Sequence, residues 1–129
     1  MSDKFKVEII TPDSSILASE ASEVTIPSYE GQMGILKDHI PLITFLRPGV
    51  ISIQDKEKKK YYVEEGTVEF SNNNLLILTS TAKDLTKLNQ NLIQDLLSKA
   101  EKKLNDNNSS DKDKYLLTYK ISTLKEISQ

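Results

Sequence analysis

The sequence predicts a mainly β protein with a helical end: a sandwich or barrel of short strands followed by an antiparallel αα-hairpin. Two periodicities carry this. Through about residue 82, apolar residues alternate in short runs broken by turn residues, the period of two of half-buried strands. After about residue 84 they recur at steps of three and four with no Gly or Pro among them, the period of helix faces. The expected division is a β domain over 1–84 and a helical hairpin domain over 85–129. Charge divides at the same place: residues 1–85 carry 9 basic and 13 acidic side chains, residues 86–129 carry 8 and 6.

The first strand is read from Phe5, Val7 and Ile9, with Lys6 and Glu8 between them. Pro12-Asp13 marks a turn, and Ser15–Ser19 and Glu23–Pro27 follow as strands. Val50, Ile51 and Ile53 form another after Pro48-Gly49, and Asp55–Lys60 reads as a solvated hairpin tip before Tyr61-Tyr62-Val63. Gly66 opens Thr67–Phe70, and Asn72-Asn73-Asn74 turns the chain into Leu75–Leu78. Many short strands need two sheets to cover each other's apolar faces, hence the sandwich. The first helix is read from Leu85, Leu88, Leu92, Leu96, Ala100 and Leu104, with Leu97 widening the stripe. Asn105–Ser109 is a polar link. Ser110 and Asp113 have the spacing of a capping box, and Leu117, Ile121, Leu124 and Ser128 trace the second helix, widened by Tyr115, Leu116 and Ile127.

Composition excludes several functions. A hydrophobic fraction of 37% with 28% charged residues is globular but poor in apolar content, and no tryptophan is present, so Ile, Leu and Val must build the core. A net charge of −2 argues against general nucleic-acid binding, which needs surplus Lys and Arg. The chain has no cysteine, which removes a disulfide framework and most structural zinc sites and fits a reducing compartment. Met1–Lys6 is polar and Phe5–Ile10 alternates, so no secretory leader is expected. No apolar run approaches the length that spans a bilayer, so membrane association is expected only through a partner. Arg47 is the sole arginine among the cations, which reads as a compositional bias toward lysine.

The most constrained stretch is Pro27–Leu42, with two glycines, two prolines and the single histidine. Its expected form is a turn of fixed shape, since Gly supplies positive φ and Pro fixes φ. His39 lacks the companion His or Cys ligands of a metal site, and no Gly-x-Ser-x-Gly elbow accompanies it, so it reads as a structural or partner-contact residue. Gly31 and Gly34 form only Gly-x-x-Gly, which is turn geometry and no phosphate cradle. The run Lys56–Lys60 is interrupted by Glu57 and has no aromatic ladder for single-stranded nucleic acid. The helical stripes lack the aromatic edge and strongly basic face of interfacial helices, so they should pack on each other or on protein.

Pro27–Leu42, together with Leu46-Arg47-Pro48-Gly49-Val50-Ile51-Ser52-Ile53, resembles the F-type ATP synthase epsilon subunit family (delta in mitochondria). Members carry a similar Glu-Gly, Gly-Ile, His, Pro-Leu pattern and commonly Leu-x-Pro-Gly-x-Ile-x-Ile. Tyr62–Phe70 matches more weakly, with Glu65-Gly66 where the family often has Gly-Gly. The order of a sandwich and then a hairpin also agrees. The resemblance implies a ten-stranded β-sandwich carrying a C-terminal helical hairpin. It implies a non-catalytic rotor subunit of the central stalk, peripheral on the cytoplasmic face of the bacterial plasma membrane, binding the gamma subunit and the c-ring to couple proton flow to ATP synthesis. Glu30, Gly31, Gln32, His39, Ile40, Pro41 and Leu42 fall where the family contacts c-ring loops; many members carry an acid where Gln32 stands.

In some bacterial members the hairpin also restrains ATP hydrolysis, through basic residues of the second helix that meet the alpha and beta subunits. The matching candidates are Lys112, Lys114, Lys120 and Lys125, with Asp111, Asp113 and Glu126 nearby, so any restraint is expected to be weak. The family's ATP-binding motif, Ile/Leu-Asp-x-x-Arg-Ala, corresponds to Leu88-Asn89-Gln90-Asn91-Leu92-Ile93, which lacks its carboxylate and its arginine. ATP binding by the hairpin is therefore not expected, and no cofactor is implied. The competing reading is a stand-alone β-sandwich ligand-binding module with a helical dimerisation tail, which predicts an isolated homodimer with a concave pocket. A weaker one is a small hydrolase centred on His39.

Overall fold

The computed structural model describes residues 3–128, so Met1, Ser2 and Gln129 at the ends of the two expected domains lie outside the described residues. Ten strands are followed by two helices: β1 (Phe5–Ile10), β2 (Ser15–Ala21), β3 (Glu23–Ser28), β4 (Gly31–Leu36), β5 (Leu42–Leu46), β6 (Gly49–Gln54), β7 (Lys58–Val63), β8 (Gly66–Ser71), β9 (Asn74–Thr79), β10 (Ala82–Asp84), α1 (Gln90–Leu104) and α2 (Asp111–Ile127). A single 3₁₀ turn, Leu85–Lys87, joins β10 to the helices.

The strands form one hydrogen-bonded ladder in the order β10-β7-β6-β3-β5-β8-β9-β1-β2, with β4 added on β3. It closes on itself into a nearly complete sandwich. Each of β1–β9 sends at least one fully apolar side chain inward, among them Ile9, Ile26, Ile35, Ile51 and Ile77, all with no exposed surface. Phe5 and Phe70 meet edge to face at 5.5 Å in this core. Strand β3 joins the halves of the ladder: Glu23–Thr25 pair with β6, and Ser28 reaches Leu46 of β5. Pro27 has no N–H to give at this corner, while its carbonyl accepts from Arg47 N at 3.0 Å.

Two glycines are required by close approach. A Cβ on Gly49 would stand 2.6 Å from Pro27 Cβ, which accounts for Pro48-Gly49 beside the β3 corner. A Cβ on Gly66 would collide with the Leu78 carbonyl oxygen and stand 3.0 Å from Thr79 Cα. Backbone atoms cannot swing aside, so Gly66→Ala is expected to cost about 3 kcal/mol. A lower urea midpoint at unchanged slope checks this, and an unchanged midpoint refutes it.

The second apolar cluster lies outside the sandwich. Tyr62 points away from the strand core and is covered by Ile93, Leu97 and Ala100 of α1 and Ile121 and Leu124 of α2. The hairpin thus docks on the outer face of β6 and β7. Asn89 caps α1, its Oδ1 accepting from Leu92 N at 2.8 Å, and Ser110 caps α2, its hydroxyl accepting from Asp113 N at 3.1 Å. The second cap is the one the Ser110–Asp113 spacing predicts.

Three expectations are corrected. The constrained stretch Pro27–Leu42 is not one turn: Gly31–Leu36 is strand β4, paired residue by residue with β3. Lys58, Lys59 and Lys60 are not in the hairpin tip but in β7, opposite Gln54, Ile53 and Ser52. Helix α1 starts five residues after Leu85, because Leu88 is extended and Asn89 supplies the first cap. Its buried face runs through Ile93, Leu97 and Ala100, so Leu92 and Leu96 lie at its edge, half-buried.

Candidate rotor-facing surface and docked hairpin

The residues expected to face the ring fall into two groups at opposite ends of β4. Tyr29 and Glu30 form the two-residue loop of the β3–β4 hairpin, with Ser28 opposite Gly31. Gly31 takes φ 124°, a backbone region that side chains strain to enter. The buried Ser28 hydroxyl donates to Gly31 O at 2.7 Å and accepts from Glu30 N at 3.2 Å, which fixes the loop from within. Glu30 and Gln32 are exposed.

His39, Ile40, Pro41 and Leu42 lie at the other end, about 17 Å along a six-residue strand. Asp38 (φ 67°) and Asn73 (φ 57°) clasp each other: Asp38 N donates to Asn73 Oδ1 at 2.7 Å, and Asn73 Nδ2 donates to Asp38 Oδ1 at 2.9 Å. The His39 ring sits edge-on to Phe70 at 5.9 Å, with Nδ1 2.7 Å from Ile40 O. The clasp leaves Ile40 projecting, 74% exposed. His39 therefore packs within this loop, its ring against Phe70.

A surface the sequence reading missed is the outer face of β5, β8 and β9. Ile43 (76% exposed), Phe45 (59%) and Leu78 (44%) lie on it. Register puts Phe45 and Leu78 on either side of Thr67, and Ile43 beside Glu69. The available signal was the run Leu42-Ile43-Thr44-Phe45-Leu46, apolar at both parities, which puts apolar side chains on both faces of β5.

The four lysines expected to serve regulation are not equivalent. Lys112, Lys114 and Lys125 are exposed. Lys120 Nζ is 2.6 Å from Glu64 Oε1, which also accepts from the Tyr62 hydroxyl at 3.2 Å. Arg47 stacks on the Tyr119 ring at 4.0 Å, and Thr123 Oγ1 donates to Pro48 O at 3.4 Å. The positions matching the family's nucleotide motif have structural duties: Asn89 is a cap, Gln90 Nε2 donates to Ser128 O at 2.9 Å, and Ile93 is buried core.

Burial pushes the Tyr62 hydroxyl well above the usual tyrosine range, and the Glu64 charge adds to the shift. A tyrosine in the unfolded chain ionises near about pH 10. The raised pKa means the folded state holds this proton more tightly, so its contribution is whole below that pH and is lost as pH rises beyond it. Thermal stability is expected to fall between about pH 9 and about pH 12. The Tyr62→Phe variant should show a flatter profile, and an identical slope would refute the assignment.

No described helix is long and apolar enough to cross a membrane, and no described cluster of three or more His, Cys, Asp or Glu could hold a metal. Residues 4–84 match the family "ATP synthase, Delta/Epsilon chain, beta-sandwich domain". An ATP synthase epsilon chain from Pelagibacter ubique is 45% identical, covering 99% of this chain and 100% of that one. The chloroplastic ATP synthase epsilon chain of Pyropia yezoensis is 37% identical over 89% of this chain and 86% of its own length. In fold, a chain of the Euglena gracilis mitochondrial ATP synthase (OSCP/F1/c-ring) superposes with TM-score 0.82 at 19% identity, covering 100% of this chain and 84% of that one. By sequence match over the whole β-sandwich and nearly full-length identity with an epsilon chain, this chain belongs to the ATP synthase delta/epsilon family.

Proposed function

We propose that this chain binds the gamma subunit through the outer face of β5, β8 and β9 and meets the c-ring through the two ends of β4. As an epsilon chain of ATP synthase it is a non-catalytic subunit of the central stalk. The observation that carries the gamma contact is the exposed apolar row formed by Ile43, Phe45 and Leu78 on an otherwise regular sheet. Such a row loses its contact with water only against a partner. Glu30, Gly31 and Gln32, and separately His39, Ile40, Pro41 and Leu42, are offered as ring contacts because both groups sit on internally hydrogen-bonded supports. Membrane association on the cytoplasmic face of a bacterial plasma membrane then comes through the complex, with proton flow coupled to ATP synthesis.

Residues 1–84 carry these surfaces, so the strand region is proposed as the assembling part and 85–129 as an appended regulatory part. Regulation through alpha and beta falls to Lys112, Lys114 and Lys125, with Lys120 available only after the hairpin leaves Glu64. Exposed pairs of this kind contribute about 0–1 kcal/mol each, so restraint of hydrolysis is weak and salt-sensitive.

Since the chain has no cysteine, single substitutions report contacts cleanly. In the assembled complex, Ile43→Cys is expected to cross-link to gamma, and Gln32→Cys and Ile40→Cys to c. Absence of any c product from both ends of β4, with the complex intact, overturns the ring assignment.

A further inference from the structure

We propose that the β3–β4 turn is also the cradle of the hairpin, so that holding the turn and docking α2 strengthen each other. The Tyr29 ring lies between Phe45 of β5, at 6.4 Å, and Tyr115 of α2, at 5.6 Å and edge to face. The Tyr115 hydroxyl also donates to the Tyr29 carbonyl at 3.5 Å. Tyr115 packs in turn on Tyr119 at 5.0 Å, and Tyr119 carries the Arg47 guanidinium at 4.0 Å. Arg47 closes the circuit, because its N–H donates to Pro27 O, two residues before Tyr29.

The ladder therefore runs from the turn through two rings of α2 and back to the strand that leads into the turn. A planar guanidinium suits this place, since it stacks on an aromatic face where an ammonium would stay hydrated. That is a structural reason for the single arginine of a chain otherwise served by lysine. Tyr29 and Tyr115 are both more than a third exposed, so neither ring is held by the apolar cores, and each orders the other.

Linkage follows. The turn shape that seats Tyr115 is the shape in which Glu30 and Gln32 are presented, and a partner that holds this shape has already ordered the Tyr29 ring. Docking of α2 then needs less ordering, and by reciprocity a docked hairpin raises the affinity of the turn for that partner. The identity of the partner rests on the reading of this turn as a ring contact; the linkage itself does not.

The test is amide hydrogen exchange on the isolated full-length chain, without any partner. Tyr29→Ala and Tyr115→Ala are each expected to speed exchange across Leu116–Leu124 by about three- to tenfold, with β1 and β9 unchanged. The double variant should add little to either single one. In the opposite direction, Leu124→Asp places a charge in the apolar cluster beneath the hairpin and opens α2, with Lys120→Glu as a second way to open it. Either opening should speed exchange at the Tyr29 and Glu30 amides, which are bonded to Phe45 O and Ser28 Oγ. Unchanged α2 exchange in Tyr29→Ala overturns the linkage. So do unchanged turn amides when α2 has opened. Cross-linking that fails to find a ring contact would leave this result standing and remove only the partner.

Discussion

Replacing Ile43 and Phe45 together by aspartate is expected to leave the strand core intact and to lower affinity for gamma by about a thousandfold or more, equivalent to about 4 kcal/mol. Both side chains stand on the outer face of β5 and are more than half exposed, so the strand core loses nothing. Against a partner, each apolar side chain contributes about 1.5–3 kcal/mol on full burial. The substitutions remove that gain and add two carboxylates that must be stripped of water or left unpaired in the contact. Both effects have the same sign. Co-purification of gamma with the variant, alongside a thermal melt of the isolated chain, checks the result. Retention of gamma at wild-type yield would move the interface to another face of the molecule.

The largest effect on stability is expected from Tyr62→Ala. Tyr62 has no exposed surface, and α1 and α2 close over it, so truncation leaves a cavity worth about 3–5 kcal/mol that the surrounding helices only partly fill. Glu64 also loses the phenol donor, although it keeps Lys120. The loss should appear in the hairpin: helical circular dichroism melts well ahead of the strand signal, where in the parent chain they melt closer together. Tyr62→Phe keeps the ring and should cost far less. Coincident melting of helix and sheet in Tyr62→Ala would mean that the hairpin is held mainly by the ladder around Arg47 and Tyr115.

The strands most easily read from the sequence were those with one wet face. Phe5–Ile9 alternates because Lys6 and Glu8 face out, and Asn72-Asn73 shows its turn because both take left-handed φ in a two-residue hairpin. Strand β4 was illegible for the opposite reason: Gly31 and Gly34 leave gaps in its alternation, and only Ile35 is fully buried, with Met33 packing against the core from a half-buried position. Missing β4 also hid the separation of the site, since a turn would have placed Gln32 beside His39 where an extended strand holds them apart. The consecutive Tyr61-Tyr62-Val63 carried more information than periodicity extracts. Three buried residues in a row mean that β7 is covered on both faces, the mark of a docked hairpin. The helix start depended on a side-chain cap at Asn89 that competes with the leucine stripe, and the stripe alone misplaces it.

Strand β1 lies parallel to β9, Lys6 opposite Asn74 and Ile10 opposite Leu78. A nascent chain therefore cannot seat β1 against β9 until all the strands between them have been synthesised. Until then the β1–β2 hairpin has only itself, and a lone two-stranded hairpin is marginal in water. Such distant pairing places folding on the slow, millisecond-to-second side of the range for small domains. The helices emerge after the strands, onto a β6–β7 surface that has carried an uncovered Tyr62 throughout the wait. The interval between completion of β9 and arrival of α2 is thus when this chain is most prone to aggregate, and rapid docking of the hairpin acts as its own safeguard during biogenesis.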